Sequence, residues 1–301
     1  MASHVFCRDL CLERGEPHEG TGDAPERALL LAWPRAKWRT PRWESVDMSA
    51  ALAASIHRAA LAQVHVALVD RVGDSQGLPQ LMAQPEAVSA DFASEQALID
   101  AIDAYVDGTP FPGTPDPRTV IVVCTDSRRD ACCARFGFST YKALVAIADP
   151  SRFHIVQATH IGGCRFAASV IVLPNRQRYG RLTADDAPAF LEALSRGAIY
   201  LPAYKGRADL PEPAQVAELA ALRWAADRQK PANALRLNTA KVPATARDGD
   251  QLQFSADLGE DRLDILLRAR MFHIQGNCGV VAEGGGSHEL RWCLEQLSQA
   301  S

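Results

Sequence analysis

A chain of 301 residues is long enough for two domains, at roughly 150 residues per domain. Its hydrophobic fraction of 47% and charged fraction of 23% exclude a collagen-like, coiled-coil or wholly disordered chain. The net charge of −4 gives no positive field that would attract nucleic acid or a membrane surface, so we expect neither as a partner. A helix that spans a bilayer needs about 20 apolar residues, and no apolar run in this sequence is that long. The polar residues His4, Arg8 and Asp9 also argue against the apolar core of a secretion signal. We therefore expect a cytoplasmic protein.

Strand and helix patterns alternate in the first half of the chain. Asp47 and Ser94 are the predicted N-caps of its two helices. The sequence predicts a polar loop over 12–26, a buried strand over 28–33, a helix over 49–62, a strand over 65–72 and a helix over 94–106. Four prolines between Gly108 and Pro117 then exclude a helix or a central strand and predict a boundary.

The alternation continues beyond this boundary and weakens after residue 205. The predicted elements are a strand over 119–124, a helix over 130–148 interrupted near Gly137, a strand over 153–158, a hairpin of 167–173 and 177–182, a helix over 185–195, a helix from Pro211 to about Arg228, strands over 252–256 and 263–269, and a tail over 289–297 that fits a helix or a strand. No internal repeat is visible. We expect an α/β fold, divided into an N-terminal α/β region over 1–112, a central domain over 113–205 and a small C-terminal α+β appendage over 206–301.

Cysteine and histidine residues cluster at and after the C-terminal ends of two consecutive predicted strands. Cys124 and Cys133, separated by eight residues, stand at the end of one strand and in the following helix. His160 and Cys164, separated by three residues, stand on a Gly-Gly loop after the next strand. Strand ends are where loops converge in an α/β sheet, so we expect the two pairs to meet.

Four such donors suit a tetrahedral Zn²⁺ ion or a [2Fe–2S] cluster, and the spacing alone leaves both open. Buried structural cysteines are the simpler alternative, because free cysteine is often just buried. A thiol oxidoreductase that uses Cys132 and Cys133 or Cys164 is a third possibility, although the chain has no Cys-x-x-Cys motif. The eight cysteines are too few for a disulfide scaffold.

The sequence around these residues resembles the sucrase/ferredoxin-like family. The motifs that carry the resemblance are Cys124-Thr-x-x-x-Arg-Asp-x-Cys-Cys133, Thr159-His-Ile-Gly-Gly-x-Arg-Phe-Ala167, Val172-Leu-Pro174 and Tyr179-Gly-Arg181, with looser similarity over most of 25–225. The resemblance implies a thioredoxin-like ferredoxin core that carries a [2Fe–2S] cluster for electron transfer. In fungal members two cysteines and two histidines hold the cluster.

Carried over to this chain, the resemblance implies Cys124, Cys133, His160 and Cys164 as cluster ligands, with a cysteine at the second histidine position and Cys132 in reserve for the fourth ligand. Imidazole removes negative charge from a cluster, so we predict a reduction potential between those of all-cysteine and bis-histidine proteins. We also predict that this potential falls with rising pH. The expected protein is an electron carrier without substrate chemistry of its own, and its partner is a redox protein that the sequence does not identify.

Two other segments carry weaker patterns. Three tryptophans alternate with basic residues over 33–43, which fits either a platform for single-stranded nucleic acid or, as we favour, a packed turn. The remaining cysteines could form a second site, although their spacing alone gives it little support; they are Cys7, Cys11, Cys278 and Cys293.

Overall fold

Two β-sheets organise the chain in the computed structural model, which describes residues 4–70, 80–238, 242–243 and 245–300. The α-helices of these residues are α1 (Cys7–Glu13), α2 (Ala50–Leu61), α3 (Glu95–Val106), α4 (Phe138–Ile147), α5 (Ala187–Ser195), α6 (Glu212–Asp227) and α7 (Cys278–Ala282). A π-helical turn, Cys133–Gly137, leads into α4, and short 3₁₀ helices are Arg35–Lys37, Cys164–Phe166, Leu201–Ala203 and Ala232–Ala234. The α/β class predicted from the sequence is confirmed.

The strands are numbered in chain order. They are β1 (Ala28–Ala32), β2 (His65–Asp70), β3 (Gln80–Gln84), β4 (Val88–Asp91), β5 (Thr114–Pro115), β6 (Thr119–Cys124), β7 (Phe153–Ala158), β8 (Val170–Leu173), β9 (Gln177–Tyr179), β10 (Tyr204–Arg207), β11 (Leu235–Asn238), β12 (Gln251–Leu258), β13 (Asp261–Ile274) and β14 (Ser287–Gln299). Within the described ranges the large sheet has the order β10-β9-β8-β6-β7-β2-β1-β3-β4-β5, and the small sheet has the order β11-β12-β13-β14.

The large sheet contains the same arrangement twice, which the sequence did not reveal. In the first unit β1 and β2 are parallel and joined by α2, β3 runs antiparallel to β1, β4 runs antiparallel to β3, and α3 follows. In the second unit β6, α4, β7, β8, β9 and α5 repeat these relations in the same order. Each unit is therefore a βαβ motif followed by a hairpin and a helix, the arrangement of a thioredoxin-like domain.

The two hairpins support this equivalence at single residues. Pro85 follows directly after β3 and Pro174 follows directly after β8. Two residues later in each turn stands a non-glycine residue with positive φ, namely Ala87 at 53° and Arg176 at 52°. Positive φ is uncommon outside glycine, so its recurrence at one place in both units indicates the same turn.

The units join edge to edge through antiparallel pairing of β2 with β7, in which Val69 faces Ala158. The proline-rich segment between Gly108 and Pro117 connects them and adds β5 to the edge of the first unit. Because β6 and β7 are parallel and Cys124 pairs with Ala158, the loops that follow both strands begin side by side. This juxtaposition places the two predicted donor pairs at one edge.

Several local predictions need correction or completion. Ser49, and not Asp47, caps α2, since its side chain accepts a hydrogen bond from the Leu52 N–H. Ser94 caps α3 as predicted. The predicted strand over 65–72 ends at residue 70 as β2, and its last two positions lie outside the described residues.

Near the C-terminus the tail over 289–297 forms a strand, β14, and not a helix. Helix α6 packs on the small sheet, and Phe254 and Trp292 belong to the core between them. In the tryptophan segment Trp38 is 1% exposed and its indole N–H donates to the Trp33 carbonyl. This packing agrees with the interpretation of the segment as a packed turn.

Candidate metal centre

All four residues of the predicted ligand set lie at the edge where β6 and β7 end. Cys124 is the last residue of β6, and its N–H donates to the Ser169 carbonyl at 3.1 Å. Cys133 opens the π-helical turn, and Cys164 opens the 3₁₀ helix that follows the Gly-Gly loop. The three thiols are buried and the His160 side chain is partly buried.

The four side chains lie close together at this edge. Cys164 Sγ lies 3.4 Å from His160 Nδ1. The sulfurs of Cys133 and Cys164 and an oxygen of the Asp130 carboxylate all lie within 4.8 Å of one another. Cys124 interacts electrostatically with Cys133 and with His160. The two predicted pairs therefore come together, whereas the role of the four residues as ligands stays a prediction.

The electrostatics of this group favour the thiolate form of Cys124 and Cys164, whereas these two residues raise the pKa of Cys133. The hydrogen bond from Cys133 lowers the pKa of Cys124 despite its burial, and His160 lowers it further. The same two neighbours lower the pKa of Cys164 to about 7. Burial would lower the pKa of His160, but the neighbouring thiolates outweigh it and raise that pKa to about 10. Thiolate, and not thiol, is the form that binds metals.

The carboxylate of Asp126 holds the two ligand loops together. It accepts hydrogen bonds from the backbone N–H groups of Arg128 and Arg129 at 3.0 and 3.2 Å and from that of His160 at 3.1 Å. Asp126 is 1% exposed. One buried side chain thus fixes the turn after Cys124 and the start of the loop that carries His160.

Arg178 fixes the other side of the Gly-Gly loop. Its guanidinium donates to the Ile161 carbonyl at 2.9 Å, to the Gly162 carbonyl at 3.3 Å and to Ser169 Oγ at 3.0 Å. Burial lowers the pKa of Arg178 to about 10, which leaves it charged at neutral pH. The loop needs glycine at Gly163, because φ is 74° there and an added Cβ would lie 3.3 Å from Lys205 Nζ.

Further cations surround this loop. Arg165 forms an ion pair with the buried Glu16 at 2.9 Å, and Arg181 donates to Cys11 Sγ at 3.3 Å. The ammonium group of Lys205 lies 4.8 Å from the centre of the Phe166 ring, and burial lowers its pKa well below the ordinary value. Positive charge beside buried thiolates offsets the cost of burying them.

The π-helical turn Cys133–Gly137 and the end of strand β6 approach each other closely. A Cβ added to Gly137, at the end of the π-helical turn, would lie 2.0 Å from the Cys124 carbonyl oxygen. No side chain fits there. The predicted interruption of the helix near Gly137 therefore corresponds to a π-helical turn, and this turn positions Cys133 near Cys124. Such turns are common at functional sites.

A second group of donors lies beside the first, and the cysteine spacing indicated it only weakly. Cys132 Sγ lies 3.4 Å from Cys7 Sγ and 3.4 Å from Cys278 Sγ, and the Asp130 carboxylate adjoins all three thiols. Cys132 therefore turns away from Cys133, whereas Cys164 Sγ lies beside His160. The partners of Cys132 are 125 and 146 residues away along the chain, so no local spacing could reveal them.

The two other cysteines take no part in either group. Cys11 Sγ contacts Glu16 at 3.3 Å, and Cys293 lies on β14, where it donates to the Arg291 carbonyl at 3.8 Å. All eight cysteines are free thiols. Among the described residues, no helix is both long and apolar enough to cross a membrane.

Comparison with known proteins connects this geometry with a family. Residues 18–206, more than half of the chain, match the sequence model of the sucrase/ferredoxin-like family. No curated protein matches the chain. A thioredoxin-like [2Fe–2S] ferredoxin from Aquifex aeolicus aligns at 19% identity and a TM-score of 0.28 over 30% of this chain and 91% of its own. A structure described as the wild type of that ferredoxin aligns at 18% identity and a TM-score of 0.28 over 31% and 100%.

Proposed function

Because the chain belongs to the sucrase/ferredoxin-like family, we propose that it is an electron carrier with one [2Fe–2S] cluster, held by Cys124, Cys133, His160 and Cys164. The observation that carries this proposal is the proximity of three buried thiols and one imidazole at the ends of β6 and β7, with Cys164 Sγ 3.4 Å from His160 Nδ1. Four donors of these types are what a [2Fe–2S] cluster needs.

The donor set fits such a cluster in its chemistry as well as its number. Two of the thiols have lowered pKa values, so the metal-binding thiolate form is favoured before any metal arrives. When bound, an iron–sulfur cluster supplies one-electron chemistry.

The chain's own residues hold the donors in place and set their charge. Asp126 and Arg178 fix the two loops from opposite sides, so the donors are organised by hydrogen bonds to the backbone. Arg165 and Arg178 provide positive charge on the side of the Gly-Gly loop. Positive charge favours the more negative, reduced state, and therefore supports a potential above that of an all-cysteine site.

The partner we propose is a redox protein that gives or takes the electron. Arg128 and Arg129 are exposed on the loop between Cys124 and Cys133. Two exposed cations beside the site would favour a partner with an acidic docking face, because complementary charge speeds encounter. We further propose a cytoplasmic location, which follows from the sequence expectations.

A structural zinc site made of the same residues is the second candidate. The 3.4 Å separation of Cys164 Sγ and His160 Nδ1 would also suit two ligands of one tetrahedral ion. Such a site would be colourless and would carry no electrons.

Anaerobic purification followed by iron, zinc and acid-labile sulfide analysis tests the proposal. We expect about two irons and two sulfides per chain, with a rhombic EPR signal after dithionite reduction. Cys164→Ser and His160→Ala should reduce or alter the cluster, and Cys293→Ser is the matched control, because Cys293 lies in neither thiol group. A preparation without iron or sulfide, in which zinc is lost on Cys124→Ser, would replace electron transfer with the structural zinc site.

A further inference from the structure

The group formed by Cys7, Cys132, Cys278 and Asp130 contains none of the four proposed cluster ligands, although an oxygen of the Asp130 carboxylate also lies within 4.8 Å of the Cys133 and Cys164 sulfurs. All four residues are buried, with exposures of 1%, 0%, 7% and 3%. Their ligand atoms all lie within 4.8 Å of one another. They come from α1, from the start of the helical segment that leads into α4, and from α7, which are far apart in the sequence.

We propose that these four residues form a second metal site, which binds one Zn²⁺ ion and fastens α1 and α7 to the second thioredoxin-like unit. The three thiols of this site are not among the proposed ligands of the [2Fe–2S] cluster, so their metal binding can be tested separately from the iron content. Tetrahedral sites of three cysteines and one further donor are typical of structural zinc.

The sulfur separations fit one shared ion. A Zn–S bond of about 2.3 Å in a tetrahedral site sets sulfur–sulfur separations of about 3.8 Å. Cys132 Sγ lies 3.4 Å from both other sulfurs, so small outward shifts would admit the ion. Equal distances from one sulfur to two others also suit a common centre better than a single disulfide partner.

The carboxylate gives a second, independent argument. Asp130 accepts hydrogen bonds from the backbone N–H groups of Cys132 and Cys278, both at 2.7 Å, and no lysine, arginine or histidine forms an ion pair with it among the residues that the structure describes. A buried carboxylate without a cation is costly. The two N–H groups hold Asp130 so that its oxygens also lie 3.5 Å from Cys278 Sγ and 4.0 Å from Cys7 Sγ. A bound cation would supply the missing charge.

Backbone N–H groups also face two of the sulfurs. The Cys7 N–H donates to Cys278 Sγ at 3.5 Å, and the Arg8 N–H donates to Cys132 Sγ. Backbone donors of this kind orient metal ligands and share their negative charge. Each of these two donors comes from α1, so binding of the ion would also order the N-terminal segment.

Zinc titration followed by chelator competition tests the site. We expect the protein to hold one zinc per chain besides any iron. Cys7→Ser and Cys278→Ser should each weaken zinc binding at least tenfold, whereas Cys293→Ser leaves it unchanged. Asp130→Asn, which keeps the side-chain shape, should weaken binding without removing a thiol. Circular dichroism of each variant shows whether it is folded.

Cysteine mapping gives a readout that does not depend on variants. We expect zinc to protect Cys7, Cys132 and Cys278 from alkylation in the wild-type protein and chelation to expose them, as read by mass spectrometry. Iron and sulfide measured in the same samples report the first site separately. The proposal is overturned if the wild type binds no zinc, if its zinc is lost only on Cys124→Ser, or if these three thiols are recovered as disulfides instead of being protected by zinc.

Discussion

Replacing Gly137 by alanine is expected to destabilise the protein and to disturb the proposed ligand Cys124 at the same time. The new Cβ would lie 2.0 Å from the Cys124 carbonyl oxygen. Carbon–oxygen contacts are normally no closer than about 3.3 Å, so the helical turn and the end of β6 must separate by about 1.3 Å. Overpacking of this severity costs about 3 kcal/mol, and the better helix propensity of alanine returns about 1 kcal/mol.

The expected loss is therefore about 2 kcal/mol in the free energy of unfolding, or about 3 °C in Tm, at an unfolding entropy of about 2.1 cal/mol/K per residue over 301 residues. Urea unfolding measures the first quantity and differential scanning calorimetry the second. Iron content should also fall in the same variant, because the Cys124 backbone moves. Gly276→Ala is the matched control: its Cβ would meet nothing within 4 Å, so its stability should change by less than about 0.5 kcal/mol. Equal stability of the two variants would refute the close approach.

Three further predictions concern the potential, acid stability and loop support. His160→Cys adds negative charge to the cluster and should lower its reduction potential by on the order of 100 mV, measured by redox titration; an unchanged potential would argue against His160 as a ligand. Burial and the neighbouring Arg42 lower the pKa of His65 to about 3 in the folded protein. In the unfolded chain His65 binds its proton near the ordinary pKa of about 6.5. The free energy of unfolding therefore falls as the pH drops from about 6.5 toward 3. At pH 5 the expected loss in the free energy of unfolding is about 1–2 kcal/mol, measured by urea unfolding, and His65→Gln should not show this loss. The same acid dependence in the wild type and in His65→Gln would contradict the prediction. Arg178→Met leaves the carbonyls of the Gly-Gly loop without their donor and should cost about 3 kcal/mol, whereas the exposed Arg196→Ala should cost less than about 0.5 kcal/mol; similar effects of both would contradict the supporting role of Arg178.

The first donor group could be predicted from the sequence because its parts are local. Cys124 and Cys133 are held by one strand–helix connection, and His160 and Cys164 by one loop. The apolar runs that precede both pairs identify parallel strands, and parallel neighbours deliver their loops to the same edge. The structure confirms that the four residues meet.

The second donor group could not be predicted in this way. Cys7 and Cys278 reach Cys132 through tertiary packing of α1 and α7, which are helices of only seven and five residues. Cys7 is 1% exposed, but nothing in its local sequence identifies Cys132 as its neighbour. The one sequence signal was the vicinal pair Cys132–Cys133, since neighbouring side chains at the start of a helix point to different surroundings.

The duplication was hidden for a related reason. A βαβ motif followed by a hairpin and a helix requires only apolar strands, a capped helix and a turn, which unrelated sequences can supply. The two units share Pro85 and Pro174 after their third strands, but one common proline is too weak a signal without the strand order. The misplaced cap at Asp47 has a simpler cause: Asp47 is engaged by the Trp33 indole and the Lys37 ammonium group, so Ser49 is left to cap α2.

Pulsed EPR of the dithionite-reduced protein tests the proposed ligand set most directly. With histidine labelled by ¹⁵N, we predict a hyperfine coupling from one directly bound histidine nitrogen, which disappears in His160→Cys while a [2Fe–2S] signal persists. A coupling from no histidine, from two histidines, or from one that survives His160→Cys would contradict the assignment of Cys124, Cys133, His160 and Cys164 as the ligands.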